Sequence, residues 1–138
     1  MTMTTINNIF DLGARAMSAQ MQRLNTTASN LANAGTVAST AEGAYRPMRP
    51  VFVVDEAAPG TGLSAPRADR IVQLDRDPVR MFRPDHPQAD PDGYVWEAPV
   101  HVEEEMVEML EASRQYQNTL EAISTLRAMM ARTLSMGE

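Results

Sequence analysis

The placement of proline constrains this 138-residue chain more than any other feature. All nine prolines lie between residues 47 and 99; the first 46 residues and the last 39 contain none. Proline has no amide hydrogen to donate and its ring clashes with the preceding turn, at about 3 kcal/mol inside a helix. Two long ends are therefore free to be helical, and the middle is not.

Hydrophobic periodicity fits that division. Between about residues 4 and 34 a stripe runs through Phe10, Ala14, Met17, Met21, Leu24, Ala28 and Leu31. Its spacings alternate four and three, the period of a narrow heptad seam. Gly35 is placed to stop the helix, and thirty helical residues reach roughly 45 Å. Between about 102 and 136 the design repeats: Met109, Tyr116, Ile123 and Met130 are seven apart, with Ala112, Leu120, Leu126 and Leu134 beside them. Glu103, Glu104 and Glu105 open this segment and Arg127 and Arg132 lie toward its end, as the helix dipole favours. Gly137 follows the last periodic residue.

The middle reads as short strands and turns. VFVVDE (51–56), RIVQLDR (70–76) and GYVWE (93–97) are β-like runs bounded by proline, glycine and aspartate. AAPGTGLSAP (57–66) reads as a mobile hairpin tip or loop, and DHPQADPDGY (85–94) as a turn-rich approach to the last strand. The expected fold is mainly α with a small β-rich middle, its long terminal helices forming a coiled-coil-like pair. Residues 1–36 and 100–138 would make one discontinuous helical core around an insert at 37–99.

Composition removes several functions. The net charge is −6, all 12 basic residues are arginine, and the seven arginines between 46 and 83 are interleaved with acidic residues, so no basic stripe attracts nucleic acid. There is no cysteine, hence no disulfide or thiol chemistry. MTMTTINNIF lacks the basic and apolar regions of a secretory signal, and no stretch approaches the roughly 20 apolar residues of a membrane span. Asp85, His86, Asp90, Asp92 and His101 invite a metal reading, but the Asp90–Gly93 run is half a calcium loop without its closing glutamate, and the histidine spacing fits no common zinc site. Turn chemistry accounts for these residues, and no cofactor or catalytic constellation is expected. Glu103–Glu105 are expected to form a solvated first turn, since adjacent helix residues point in different directions.

Ala28, Asn30, Ala32, Asn33 and Thr36, at the end of the N-terminal heptad segment, form an Ala-x-Asn-x-Ala-Asn-x-x-Thr block. Tyr45–Arg46 follows, then Asp85–His86–Pro87, Ala89–Asp90 and Asp92–Gly93–Tyr94–Val95. The second helix opens with Glu104–Glu105–Met106 and continues through Ala112, Arg114, Tyr116 and Gln117. Taken together in this order, these blocks resemble the axial proteins of the bacterial flagellum, in particular the short basal-body rod proteins of the proximal rod. Ala98–Pro99–Val100 and Asn118–Thr119 depart from the family pattern, as in a divergent member.

The resemblance implies a non-enzymatic structural subunit that polymerises through its terminal helices into a torque-transmitting shaft. Its implied partners are other rod subunits, its own copies in a helical tube and the flagellar type III export apparatus, with no nucleic acid, small-molecule substrate or membrane insertion. Its implied location is the basal body, reached without a cleaved signal. The interface candidates are then Phe10, Met17, Met21, Leu24, Asn30, Leu31, Asn33 and Thr36 on the first segment. On the second they are Met106, Met109, Arg114, Tyr116, Leu120, Ile123, Met130 and Leu134. Asn30 and Asn33 can satisfy their own helix terminus and reach a neighbour, or act only as a wet C-terminal cap. Arg114 can pair with Glu111 one turn earlier or with a neighbouring subunit, and Tyr116 lies on the seam as a packing residue. Nine of the 11 methionines fall in the end segments, where they serve as helix formers or as adaptable contact residues. A helical-hairpin adaptor or secretion helper that stays monomeric is the alternative reading; a wall-cleaving enzyme using Glu104 or Asp92 as acid lacks a core from which to form a pocket.

Overall fold

The computed structural model describes residues 3–56 and 62–136. Two helices, α1 (Met3–Ala32) and α2 (Val102–Ser135), bracket five strands: β1 (Val37–Ala38), β2 (Met48–Glu56), β3 (Ser64–Gln73), β4 (Val79–Phe82) and β5 (Tyr94–Glu97). The helices are antiparallel: Asn30 near the end of α1 meets Glu105 near the start of α2, and Gly13 lies against Ile123 further along. The expected division into long helical ends and a β-rich middle is therefore observed. Of the expected loop at 57–66, residues 57–61 lie outside the described residues, and residues 64–66 belong to β3 instead. Gly137 also lies outside them.

The strands form two antiparallel sheets. β2 and β3 make a two-stranded ribbon with a bulge at Val51/Phe52: Val51 faces Arg70 and Phe52 faces Ala68, so Asp69 is the extra residue. Both strands of such a ribbon are edges, which is why Pro50 and Pro66 fit inside them. The run expected as a strand at 70–76 is the last part of this longer β3, and Leu74 instead donates its amide to the Pro47 carbonyl at 2.8 Å. The second sheet has the order β1-β5-β4. Its β4, four residues between Pro78 and Pro84, is too short for periodicity to reveal. Gly93 has a φ of 82°, and an added Cβ there would lie 2.9 Å from the Phe82 ring, so glycine is required to start β5.

Packing departs from the expected seam on α1. Ala14, Met21 and Ala28 are exposed and Phe10, Met17, Leu24 and Leu31 are half-buried, whereas Gly13, Ala19, Thr26, Thr27 and Asn30 are buried. The helix has turned its small and polar face toward its partners, because those residues let backbones approach closely on two sides. Gly13 admits Ile123 of α2, while Ala19 and Gln22 lie beside Pro66 and Ala68 of β3. On α2, Ala112 is fully buried, Met109, Tyr116, Ile123, Leu126 and Met130 are half-buried, and Leu120 and Leu134 are exposed. Among the described residues the buried apolar side chains are those of Ala19, Ala44, Ala65, Val95, Ala98 and Ala112 with Pro47, Pro78 and Pro99, and the largest fully buried side chain is that of Glu105. A core of such small residues around a carboxylate offers little hydrophobic stabilisation.

A side chain at position 13 tests the close helix approach, since a Cβ there already meets Ile123 Cγ1 at 2.8 Å. Gly13→Leu is expected to force the helices apart and lower stability by roughly 1–3 kcal/mol despite its better helix propensity, measured by thermal and urea unfolding; an unchanged midpoint would refute the close packing.

Candidate functional site

Asparagine is a poor helix former, yet Asn30 sits in the last turn of α1 with no exposed surface. Its Nδ2 donates to the Met48 carbonyl at 2.9 Å and to Glu105 Oε2 at 3.0 Å. Its Oδ1 accepts from the Met48 amide at 2.9 Å and from the Tyr45 hydroxyl at 2.8 Å. All four hydrogen-bonding positions of the amide are used within the chain. Asn33 has a different task. Its Nδ2 donates to the Ser29 carbonyl at 2.8 Å, and its own carbonyl accepts from Thr36 Oγ1 at 2.7 Å. It thus caps its own helix end, which Gly35 finishes with a φ of 73°. One asparagine of the pair closes the helix and the other fastens it to the rest of the molecule.

Glu105 completes the arrangement. Arg49, from β2, donates Nη1 to Oε2 at 2.8 Å and Nη2 to Oε1 at 2.6 Å, a bidentate pair. The carboxylate accepts a third hydrogen bond from Asn30. Two further pairs flank it. Glu104 accepts from Arg76 Nη2 at 2.8 and 2.9 Å, and Glu108 Oε2 accepts from Arg23 Nη2 at 2.7 Å and Nε at 3.1 Å. Successive residues on α2 point in different directions, so Glu104, Glu105 and Glu108 grip the β3–β4 connection, β2 and α1 respectively. The first two turns of α2 are a polar clamp on α1, β2 and the β3–β4 connection. The expected solvated first turn holds for exposed Glu103 but not for Glu105, which tertiary packing covers completely.

The electrostatics follow the geometry. Hydrogen bonds that Arg49 donates to Glu105, opposed by burial, raise the Arg49 pKa above its ordinary value, and those that Arg76 donates to Glu104 do the same for Arg76. The Arg76 hydrogen bond, opposed by desolvation and aided by the charges of Arg76, Arg49 and His101, holds Glu104 below the ordinary glutamate range. A lowered pKa is the opposite of what a general acid needs.

The other residues singled out by sequence fall outside the clamp. Met21, Met106, Arg114, Leu120, Leu134 and Thr36 are exposed; Phe10, Met17, Leu24, Leu31, Met109, Tyr116, Ile123 and Met130 are half-buried. Glu111 Oε1 accepts from Gln115 at 2.7 Å and not from Arg114, which forms no ion pair among the described residues. Asp90 Oδ1 accepts from the amides of Asp92 at 3.0 Å and Tyr94 at 2.8 Å, which is turn chemistry. Arg80 stacks over Tyr94 at 3.9 Å and stands 3.5 Å from Asp90. Sequence reasoning did not find Arg23, Arg49 and Arg76 as clamp residues. The arginine–glutamate balance was visible, but pairs separated by 85, 56 and 28 positions leave no local pattern.

Removing one member of a buried ion pair strands the other's charge, at about 3–5 kcal/mol. Arg49→Ala and Glu105→Ala are each expected to destabilise by that amount in urea titrations, and a loss below 1 kcal/mol would mean that water reaches the pair. The second expectation concerns acid. Because the folded pKa of Glu104 is depressed, its stabilisation is present above the unfolded glutamate value and is lost as pH falls through the lower folded value. Melting temperature should therefore fall more gently below the ordinary glutamate range in Glu104→Gln than in the parent; parallel curves would count against the coupling.

Comparison with known proteins meets this geometry at both ends. A family model described as flagella basal body rod protein matches residues 10–37, covering most of α1 and its asparagine block. A second, described as flagellar basal body rod FlgEFG protein C-terminal, matches residues 92–136, which hold β5 and α2. The flagellar basal-body rod protein FlgC of Salmonella typhimurium is 40% identical over 131 residues, covering 95% of this chain and 97% of the relative. FlgC of Yersinia enterocolitica is 42% identical over 132 residues with the same coverage, and FlgC of Aquifex aeolicus is 34% identical over 135 residues, covering 95% and 96%. These matches cover 95% of the chain at 34–42% identity, and the chain belongs to the FlgC family of flagellar basal-body rod proteins.

Proposed function

We propose that this chain is a subunit of the proximal rod, polymerising through α1 and α2 with other rod subunits and its own copies into a helical, torque-transmitting tube. The strands around residues 37–99 form the outer layer of that tube, and the chain reaches it through the flagellar type III export apparatus. The observation that carries the reading is the outward apolar surface of the two helices. On α2, Met106 is 60% exposed, Leu110 62% and Leu134 72%, with Val107 and Leu120 also in the open. On α1, Ala14, Met21 and Ala28 are exposed. Contiguous exposed apolar surface marks a contact site, and the helices of this hairpin carry it along their length while hiding polar groups between them. In a tube, head-to-tail contacts that do not close propagate along an axis, so one outward face on each helix suffices for continuous growth. Arg114, exposed and without an ion-pair partner among the described residues, and Thr36 remain available to neighbours, whereas Asn30 acts from within by holding the helix ends in place. Among the described residues no helix is long and apolar enough to cross a membrane.

The reading is tested by charging that surface without touching the clamp. Leu110→Glu with Leu120→Glu should preserve helix content and export of the subunit while reducing intact rods and swimming by roughly tenfold or more, since a few central contacts dominate such interfaces. Basal-body counts by electron microscopy and soft-agar motility in a complemented deletion strain supply the measurement. Normal rods in this variant, with purified protein remaining monomeric at all concentrations, would favour a non-polymerising adaptor.

A further inference from the structure

The chain has no cysteine, so thiols take no part in its response to oxidants and methionine is its readily oxidised side chain. Its thioethers are unevenly placed. Met21 on α1 and Met106 and Met129 on α2 are exposed, by 47, 60 and 60%, whereas Met48 in β2 and Met81 in β4 are half-buried. Met106 lies in an apolar groove with Val107, Met109, Leu110 and Ser113. It directly follows Glu105, yet the two side chains point in different directions: Glu105 is fully enclosed in the clamp and Met106 stands outside it. Chemistry at Met106 can therefore alter the outward surface without disturbing what holds the fold together. Met136 is exposed too, but it lies past the end of α2.

We infer that Met21, Met106 and Met129 are peroxide-modification sites whose oxidation blocks incorporation of the free subunit while leaving its fold intact, and whose burial on assembly protects them. The inference rests on the proposed assembly through the outward helix faces. In the step, the thioether sulfur attacks one oxygen of hydrogen peroxide, an S–O bond forms and the O–O bond breaks. Sulfur loses two electrons, the peroxide oxygen gains them, and proton transfer releases one water, leaving methionine sulfoxide. A flexible apolar side chain becomes a polar one, and a contact that would bury it must then strip water from an unpartnered oxygen. Methionine sulfoxide reductases reverse the change, so the lesion is repairable before assembly.

Two measurements test this. In the first, the purified full-length chain is titrated with hydrogen peroxide and its peptides are mapped by mass spectrometry. Sulfoxide should form at Met21, Met106 and Met129 at least about threefold faster than at Met48 and Met81, with unchanged far-ultraviolet circular dichroism. Uniform reactivity, or loss of helix signal in step with oxidation, would overturn the inference. In the second, basal bodies are counted in cells given a peroxide pulse before new rods are built. A Met21→Leu, Met106→Leu, Met129→Leu variant, close in volume to the parent, should keep its rod yield where the parent loses it. The corresponding glutamine variant should have low yield without peroxide, by roughly tenfold. Equal peroxide sensitivity of parent and leucine variant, or normal yield with glutamine, would overturn it. If Leu110→Glu with Leu120→Glu assembles normally, the underlying assembly reading fails; if that variant is defective and the glutamine variant is not, only the methionine inference fails.

Discussion

A carboxylate with no access to water, held by a guanidinium on one side and an asparagine amide on the other, is the interaction on which this structure depends. Among the described residues Glu105 is the largest side chain fully enclosed by the fold, and the apolar residues buried with it are small: alanines, prolines and a single valine. Such a core supplies little directional information, since alanine packs tolerably in many registers. The clamp supplies it instead. The bidentate fork from Arg49 fixes β2 against α2, and Asn30 fixes the end of α1 against both. Burying an ion pair is weak support for stability when compared with an apolar replacement. What it offers here is an arrangement with one satisfied geometry and a large penalty for the others.

The helices carry the complementary half of that design. A helix pair meant to live alone would bury its apolar stripes and leave its polar residues wet. Here α1 turns Gly13, Thr27 and Asn30 inward and Met21 outward, and α2 leaves Met106, Leu110 and Leu134 in the open. Polar contacts settle the shape of the subunit, and large apolar side chains are left on its outside. In the proposed assembly, separating the two roles would let neighbours repack on flexible methionine and leucine side chains without loosening the clamp.

Much of this was legible in the sequence. Proline placement and heptad spacing located both helices to within a few residues, because exclusion of proline and a repeated apolar period are local properties. The asparagine pair stood out for the same reason, and Asn33 capping its own terminus is one of the two readings the residues allowed. The rotation of α1 was not legible. Its apolar stripe and its small-residue face are both periodic at helical spacing, and only the presence of α2 and β3 decides which is covered. Nor was the choice among Glu103, Glu104 and Glu105: three identical side chains in a row differ only in direction, and their fates range from solvent to full burial. β4 was hidden by its brevity, and β3 was misjudged at its start because Pro66 reads as a breaker until the ribbon is seen to have two free edges.

The clamp also sets when the molecule can close. Asn30 and Glu105 are 75 residues apart and Arg49 and Glu105 are 56 apart, so the bonds that define the register are among the most non-local in the chain. Until α2 begins to form, the guanidinium of Arg49 and one hydrogen of the Asn30 amide have no anion to meet. Long loops must be closed before such contacts bring any gain, which slows folding. The register these contacts set can therefore be reached only late, once the start of α2 has brought Glu105 to Arg49 and Asn30.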